Sequence, residues 1–203
     1  YRGLRGQRDS GLVQLVRRVT DRGLVDSSLD AELREILKVR DEIVEDRFDE
    51  LIKHSTILDL QGGEDLETFF ARISKVLGHE LHMEPDRVFE LLMEREAEST
   101  TALRPGLAIP HIIVEGEGIF DILLARSKEG ITFSEDKEPV HAVFVLMGSR
   151  DERNYHLRAL MHIAQITQDP DFDKKWLKAR GPEELRHLVL LGKRRRDTDD
   201  QAS

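Results

Sequence analysis

Apolar positions follow two different patterns along the chain, and the change comes at about residue 54. Up to residue 53, apolar residues recur at helical spacing among many charges, and no strand pattern interrupts them. Over residues 54–192, helical stretches alternate with short β-like runs, of which 140–146 is continuous enough to be a buried strand. This alternation predicts a layered α/β domain over residues 54–192.

The segments on either side of this domain have a different character. Residues 1–53 are predicted to form a helical connector, which opens with Tyr1 followed by the basic, glycine-rich sequence to Arg8. Residues 193–203 are polar, and we expect a disordered tail there. The tail begins with the basic patch Lys193–Arg196, which is interpreted as a solvated terminus, with contact to lipid headgroups as the alternative.

Composition narrows the functional classes. The length of 203 residues suggests one ordinary domain plus an appendage. The chain is 39% hydrophobic and 35% charged, which is enough apolar material for a core under a highly charged surface. The formal net charge of −9 argues against a nucleic-acid partner, because such binding depends on neutralising phosphates. The absence of cysteine excludes disulfides and thiol chemistry. No apolar run approaches the roughly 18 residues that would span a bilayer.

One histidine is placed where it could carry chemistry. Gly106 and Pro110 punctuate an apolar, strand-like run that ends at His111. An imidazole can act as a nucleophile near neutral pH, and Arg95 together with a second histidine could bind an anion beside it. That set would suit a phosphorylated histidine. On the residues alone, a structural histidine at a strand end is the commoner interpretation.

The run 106–111, Gly-Leu-Ala-Ile-Pro-His, resembles the G-[IL]-A-[IL]-P-H signature of the enzyme IIA phosphocarriers of the bacterial phosphoenolpyruvate:sugar phosphotransferase system, of the fructose/mannitol/nitrogen-regulatory type. Arg95 lies 16 residues before His111, where the family has its arginine. Thr100 and Thr101 match the family's Ser/Thr pair. Downstream, 155–160 resembles the family's second-histidine helix, and the resemblance extends over about 54–192.

The resemblance implies a fold, a set of site residues and a partner. The fold would be the mannitol-type enzyme IIA fold, a mixed β-sheet flanked by helices. His111 would accept a phosphoryl group from a histidine-containing phosphocarrier protein, with Arg95 and His156 stabilising its charge. Thr100, Thr101 and Gly106 would belong to the binding site. No cofactor and no metal are implied.

The turn before the signature departs from the family pattern. The family has a glycine-rich turn, G-x-G-x-G, where this chain has Ala-Leu-Arg-Pro-Gly at 102–106, so only Gly106 is kept. Glycine lets the backbone approach a phosphate and adopt positive φ, whereas Arg104 and Pro105 are bulkier and stiffer. We therefore expect a differently shaped acceptor loop, which places efficient phosphotransfer in question more than the fold.

The remaining histidines give no metal motif. His79 and His82 lie three residues apart, whereas a zincin helix needs four so that both side chains face one metal. The other four are interpreted as surface or structural residues: His54, His141, His162 and His187.

Two functions from different classes remain open. In the first, the domain is a phosphohistidine-type phosphocarrier that regulates an attached transporter. In the second, it is a non-catalytic anion- or partner-binding regulatory module that keeps the fold. Arginines after an aromatic residue are typical of the cytoplasmic side of a membrane span, so we expect a cytoplasmic domain attached to the inner or plasma membrane behind a transporter such as an amino-acid permease. A helical extension or homodimerisation arm on a cytosolic protein is the alternative for residues 1–53.

Overall fold

A computed structural model describes residues 45–197. The compact unit that contains nearly all of them begins at Arg47. Most of the predicted connector and the end of the tail, residues 198–203, lie outside the described residues. The helices are α1 (Arg47–His54), α2 (Leu66–Leu81), α3 (Pro85–Glu98), α4 (Arg153–Thr167), α5 (Phe172–Lys178) and α6 (Pro182–Leu190). The strands are β1 (Ile57–Leu60), β2 (Glu64–Asp65), β3 (Ala102–Arg104), β4 (Gly106–Ala108), β5 (His111–Val114), β6 (Phe120–Thr132) and β7 (Val140–Ser149).

The strands form one mixed sheet, which confirms the predicted fold class. Its main order is β1-β6-β7-β4-β3, while β2 pairs with β6 and β5 pairs with β7. The β1–β6, β4–β7 and β5–β7 pairs are parallel, whereas β6–β7 and β3–β4 are antiparallel. Within residues 45–197, no helix is long and apolar enough to cross a bilayer.

Alternation along the two long strands separates two apolar cores, one on each face of the sheet. In β7, Ala142, Phe144 and Leu146 face one core, while Val143, Val145 and Met147 face the other. Helices α1, α4, α5 and α6 cover the first face, and α2 and α3 cover the second. Because each face of a sheet must bury its apolar side chains, this pattern produces a helix–sheet–helix sandwich.

Strand β6 is longer than the sequence pattern predicts. We expect two strands, 119–125 and 130–133, separated by a turn, but the structure has one strand from Phe120 to Thr132. The polar interruption is an irregularity within it, since the register against β7 shifts between Arg126 and Ile131. Pairing with β7 on both sides of the irregularity keeps the strand continuous.

Helix α1 belongs to the domain, although the sequence analysis assigns its first seven residues to the connector. Phe48 and Ile52 are 1% and 0% exposed and form part of the core that also contains residues of α4, α5 and α6. Arg186 of α6 donates hydrogen bonds to the carbonyls of Ile52, Lys53 and Ser55 at the end of α1. The expected boundary between residues 53 and 54 therefore differs from the structure, in which the compact unit starts at Arg47.

The beginning of the tail also packs on the domain. Arg194 and Arg196 form ion pairs of 3.0 and 3.1 Å with Asp49 of α1, and the Arg194 guanidinium lies over the Phe48 ring. The Arg195 backbone N–H donates to Gln165 of α4. The structure thus contradicts the expected disorder for these residues. The one buried carboxylate of Asp49 pairs with both arginines and holds this segment on α1.

Truncating Phe48 tests whether α1 is part of the core. Phe48→Ala removes a ring that is 1% exposed, and the lost burial and the resulting cavity are expected to lower the free energy of unfolding by about 3–5 kcal/mol. Glu50→Ala, at an exposed position of the same helix, serves as the matched control and should change it by about 0.5 kcal/mol or less. Urea denaturation measures both. Equal, small effects of the two substitutions would show that α1 is dispensable to the core.

Candidate functional site

His111 is held at the start of β5 by backbone interactions on both sides. The Pro110 carbonyl accepts a hydrogen bond from the Leu146 N–H of β7 (2.9 Å), which fixes where the new strand begins. His111 Nδ1 lies 3.0 Å from the Ile109 carbonyl oxygen. Since a carbonyl can only accept, Nδ1 carries the proton, and Nε2 keeps its lone pair.

Arg95 comes from the last turn of α3, on the other side of the sheet from α4. Its Nε–H donates to His111 Nε2 at 3.0 Å. Its Nη1 donates to the carbonyl and the hydroxyl of Ser99 at 3.0 and 3.2 Å, which ends the helix. Among the described residues, Arg95 Nη2 has no hydrogen-bond partner, so the half-buried guanidinium retains donor capacity beside the imidazole. Within residues 45–197, Arg95 forms no ion pair with a carboxylate of its own helix.

His156 completes the group from the first turn of α4. Its ring lies 5.3 Å from that of His111, edge to face, and 5.7 Å from that of Phe120. The residue is 6% exposed, and neither ring nitrogen has a hydrogen-bond partner among residues 45–197. Gly148 of β7 leaves room for this packing, because a Cβ there would lie 2.9 Å from the Phe120 ring. A buried imidazole without partners is rare and calls for an incoming polar group.

Both imidazoles are poised in the neutral form. Burial lowers the pKa of His156 to about 4, and the neighbouring His111 adds to the shift. Burial also lowers the pKa of His111, with a further contribution from the Arg95 charge, although the hydrogen bond to the Ile109 carbonyl acts in the opposite direction. At neutral pH the group therefore consists of one cation and two neutral rings, an arrangement suited to receiving negative charge.

The family pattern assigns Thr100, Thr101 and Gly106 to the binding site. They lie close to His111 in sequence, but their role in the structure differs from that of Arg95 and His156. Thr101 is buried, and its N–H and hydroxyl both donate to Glu96 of α3. Thr100 is exposed, and its hydroxyl accepts from the Ala102 N–H. Gly106 has φ of +81° at the start of β4, where a side chain would be strained. These three residues shape the loop around the site, while Arg95, His111 and His156 meet in it.

Three groups that organise the site were missed by sequence reasoning. The Ile109 carbonyl orients His111, Ser99 holds Arg95, and Glu96 holds Thr101. Ile109 acts through its backbone carbonyl and so leaves no side-chain signature, whereas Ser99 acts through both its carbonyl and its hydroxyl. Glu96 does leave a sequence signal, because it is a carboxylate five residues before Thr101. At the end of a helix, that spacing lets the carboxylate accept hydrogen bonds from the residue that follows the helix.

The arrangement favours nucleophilic chemistry at His111 Nε2. That nitrogen has its lone pair, is oriented through Nδ1, and is bordered by an arginine whose fork matches phosphoryl oxygens. The other histidines lie elsewhere. His141 Nδ1 lies 2.9 Å from the Ser127 carbonyl, and His162 is buried beside Phe48 and Asp197. His82 adopts φ of 53° as the C-cap of α2.

Comparison with known proteins identifies the family. Residues 50–191 match the family model of the phosphoenolpyruvate-dependent sugar phosphotransferase system, EIIA 2. A nitrogen regulatory protein of Bradyrhizobium diazoefficiens is 39% identical over 106 residues, which are 51% of this chain and 69% of that protein. The fructose-specific EIIABC component of Bacillus subtilis is 26% identical over 141 residues, 68% of this chain but only 22% of its own length.

The solved structures agree with this assignment. The nitrogen regulatory protein IIA-Ntr of Neisseria meningitidis superposes with a TM-score of 0.63 at 25% identity, covering 71% of this chain and 99% of that one. The family match over residues 50–191 includes Arg95, His111 and His156. The chain therefore belongs to the type 2 enzyme IIA family of the phosphotransferase system.

Proposed function

We propose that the domain is a phosphoryl carrier with a regulatory role, in which His111 accepts a phosphoryl group from a histidine-phosphorylated carrier protein. One observation carries the proposal. An imidazole whose Nε2 lone pair faces Arg95 lies beside a second buried imidazole, His156, that has no hydrogen-bond partner among the described residues. Membership of the enzyme IIA family supports the same chemistry.

The proposed step exchanges one nitrogen–phosphorus bond for another. The lone pair of His111 Nε2 attacks the phosphorus of the donor phosphohistidine. The new N–P bond forms as the donor's N–P bond breaks, and the donor imidazole leaves with that electron pair. His111 Nδ1 keeps its proton and its hydrogen bond to the Ile109 carbonyl throughout. No proton needs to be removed from the nucleophile, because Nε2 is already unprotonated.

Arg95 and His156 would stabilise the transferred group. When Nε2 bonds to phosphorus it no longer accepts from Arg95, so the Arg95 Nε–H can turn to a phosphoryl oxygen, joined by the unpartnered Nη2. His156, neutral at pH 7, carries one ring N–H that can donate to another oxygen. Both groups are buried enough to act in a medium of low dielectric, where such contacts are stronger than in water.

The altered turn does not favour the alternative of a non-catalytic module. Arg104 directs its guanidinium to Asp173 and to the Thr167 carbonyl, on α5 and at the end of α4. Gly106, the one glycine kept, has the positive φ that needs it. The bulky residues are thus accommodated without a hydrogen bond to His111, whose own contacts do not involve the turn.

Attachment to a transporter stays a prediction. Its support is the basic sequence after Tyr1 and the relative in Bacillus subtilis, a fructose-specific EIIABC component of which the matched region is about a fifth. A regulatory role draws on the relative named as a nitrogen regulatory protein. Recovery of the full-length protein from the soluble fraction of lysed cells would contradict membrane attachment.

Incubation with phosphoenolpyruvate, enzyme I and the histidine-containing carrier protein should label the domain with one acid-labile, base-stable phosphoryl group at His111. Mass spectrometry of the labelled peptide measures it. His111→Ala should abolish labelling, while His54→Ala, at an exposed position of α1, should leave it unchanged. Labelling that persists in His111→Ala, or that never occurs with cognate partners, removes the acceptor assignment.

The same assay tests Arg95. Arg95→Lys keeps the positive charge but loses the Nε donor and the fork, so the labelling rate should fall on the order of ten- to a hundredfold, as for loss of a charge-assisted hydrogen bond. Circular dichroism and the unfolding midpoint should change little. Loss of the fold in Arg95→Lys would make the arginine structural instead.

Phosphorylation should raise the pKa of His156. In the unphosphorylated domain burial holds this pKa at about 4, so His156 stays neutral between pH 5.5 and 8, the range proposed for measurement. The ring centroids of His111 and His156 lie 5.3 Å apart, so a phosphoryl dianion on His111 favours the protonated form of His156. The pKa of His156 should therefore rise, and His156 should begin to titrate within that pH range. Ring ¹⁵N shifts report the protonation state, and His156→Gln assigns the signal. Identical ¹⁵N shifts before and after phosphorylation would place the phosphoryl group away from His156.

A further inference from the structure

Arg104 makes four hydrogen bonds, three of which cross from the β3–β4 turn to the helices. Its Nη1 and Nη2 bond the two carboxylate oxygens of Asp173 on α5 at 2.8 and 2.9 Å, a bidentate pair. Nη2 also donates to the Thr167 carbonyl at the end of α4 (3.2 Å), and Nη1 to the Pro105 carbonyl (2.9 Å). One side chain thus connects the turn to two helices.

The strand that Arg104 ends has only short pairing within the sheet. β3 is the last strand in the main order of the sheet and pairs only with β4. That pairing covers two positions, Ala102 with Ala108 and Arg104 with Leu107, and is irregular between them. Short, one-sided pairing leaves an edge strand prone to local opening, so it depends on contacts at both of its ends: the hydrogen bonds of Thr101 to Glu96 before its start, and those of Arg104 at its end.

The start of the same strand leads directly into the site. The Thr101 carbonyl, one residue before β3, accepts from the Ile109 N–H at 3.0 Å. Ile109 in turn orients His111 through its own carbonyl. Two residues further back, Ser99 holds the Arg95 guanidinium. Movement of β3 would therefore reach both the acceptor and its arginine.

We propose that Arg104 is a positioning residue, which fixes β3 and through it the Ser99–Thr101 segment, so that Arg95 and His111 keep their mutual geometry. Its side chain bonds to the Pro105 carbonyl within the turn and to Asp173 and Thr167 on the helices, so it fixes the turn from both sides. The consequence for phosphotransfer rests on the proposed function, whereas the effect on geometry does not. Arg104 itself does not touch His111.

The Arg104–Asp173 ion pair should act on the local opening of β3 rather than on the stability of the whole domain. The pair is partly exposed, 33% for Arg104 and 53% for Asp173, so its removal should leave the global stability nearly unchanged. Its effect is expected locally, in the opening of β3. The domain offers a matched ion pair elsewhere. Arg72 donates to both carboxylate oxygens of Glu64 in β2, and the Arg72 side chain is also partly exposed.

Amide hydrogen exchange in the unphosphorylated domain tests the positioning role. Arg104→Ala and Asp173→Asn should each raise the exchange rate of the Ile109 N–H by roughly fivefold, as expected for loss of a partly exposed bidentate pair, and broaden or shift the Arg95 Nε–H resonance. Arg72→Ala should change neither signal. The double variant Arg104→Ala/Asp173→Asn should show no more than Arg104→Ala alone, because Asp173 has already lost its partner in that variant.

Phosphotransfer kinetics provide the second readout. If the domain is phosphorylated as proposed, Arg104→Ala should lower kcat more than it raises KM, and Arg104→Lys should restore part of the loss. Unchanged Ile109 exchange and Arg95 resonances in Arg104→Ala overturn the positioning role, even if transfer is slowed. Changed exchange in a domain that never accepts a phosphoryl group supports the positioning role while the proposed function fails.

Discussion

The fold depends on one strand that must be buried on both faces. β7 pairs with β6 on one side and with β4 and β5 on the other, and its residues from Ala142 to Ser149 are all buried. An apolar strand in that position needs helices above and below the sheet. That requirement brings α3 and α4 to opposite faces of the same sheet, and β5, paired in parallel with β7, starts between them.

The site follows from this arrangement, since each layer contributes one residue. Arg95 ends a helix on one face, His156 opens a helix on the other, and His111 starts a strand of the sheet. Burial lowers the pKa of both imidazoles, so neither adds positive charge at neutral pH, and Arg95 forms no ion pair within residues 45–197. The unpaired charge and the unpartnered histidine leave the site incomplete as it stands. A phosphoryl dianion on Nε2 would supply the missing acceptors and the opposite charge.

The sequence predicted the layers and the three central residues, but not the contacts that orient them. The buried strand, the helices and the signature around His111 are visible because apolar periodicity and a short motif record them. Backbone groups such as the Ile109 carbonyl leave no such trace. The sequence pattern places α1 in the connector because Phe48, Leu51 and Ile52 form only a short helical pattern in a highly charged region without strand signals, and tertiary packing alone shows that Phe48 and Ile52 are core. The Arg104–Asp173 pair joins positions 69 residues apart, which no local pattern reveals.

If His111 is phosphorylated as proposed, the acceptor atom is Nε2, because Nδ1 is hydrogen-bonded to the Ile109 carbonyl. The most direct test is ¹⁵N–³¹P correlation in the phosphorylated domain, with the imidazole nitrogens of His111 assigned. The account predicts a phosphorus–nitrogen coupling to Nε2, with Nδ1 still protonated and hydrogen-bonded. A coupling to Nδ1, or to a nitrogen of any other residue, would contradict it.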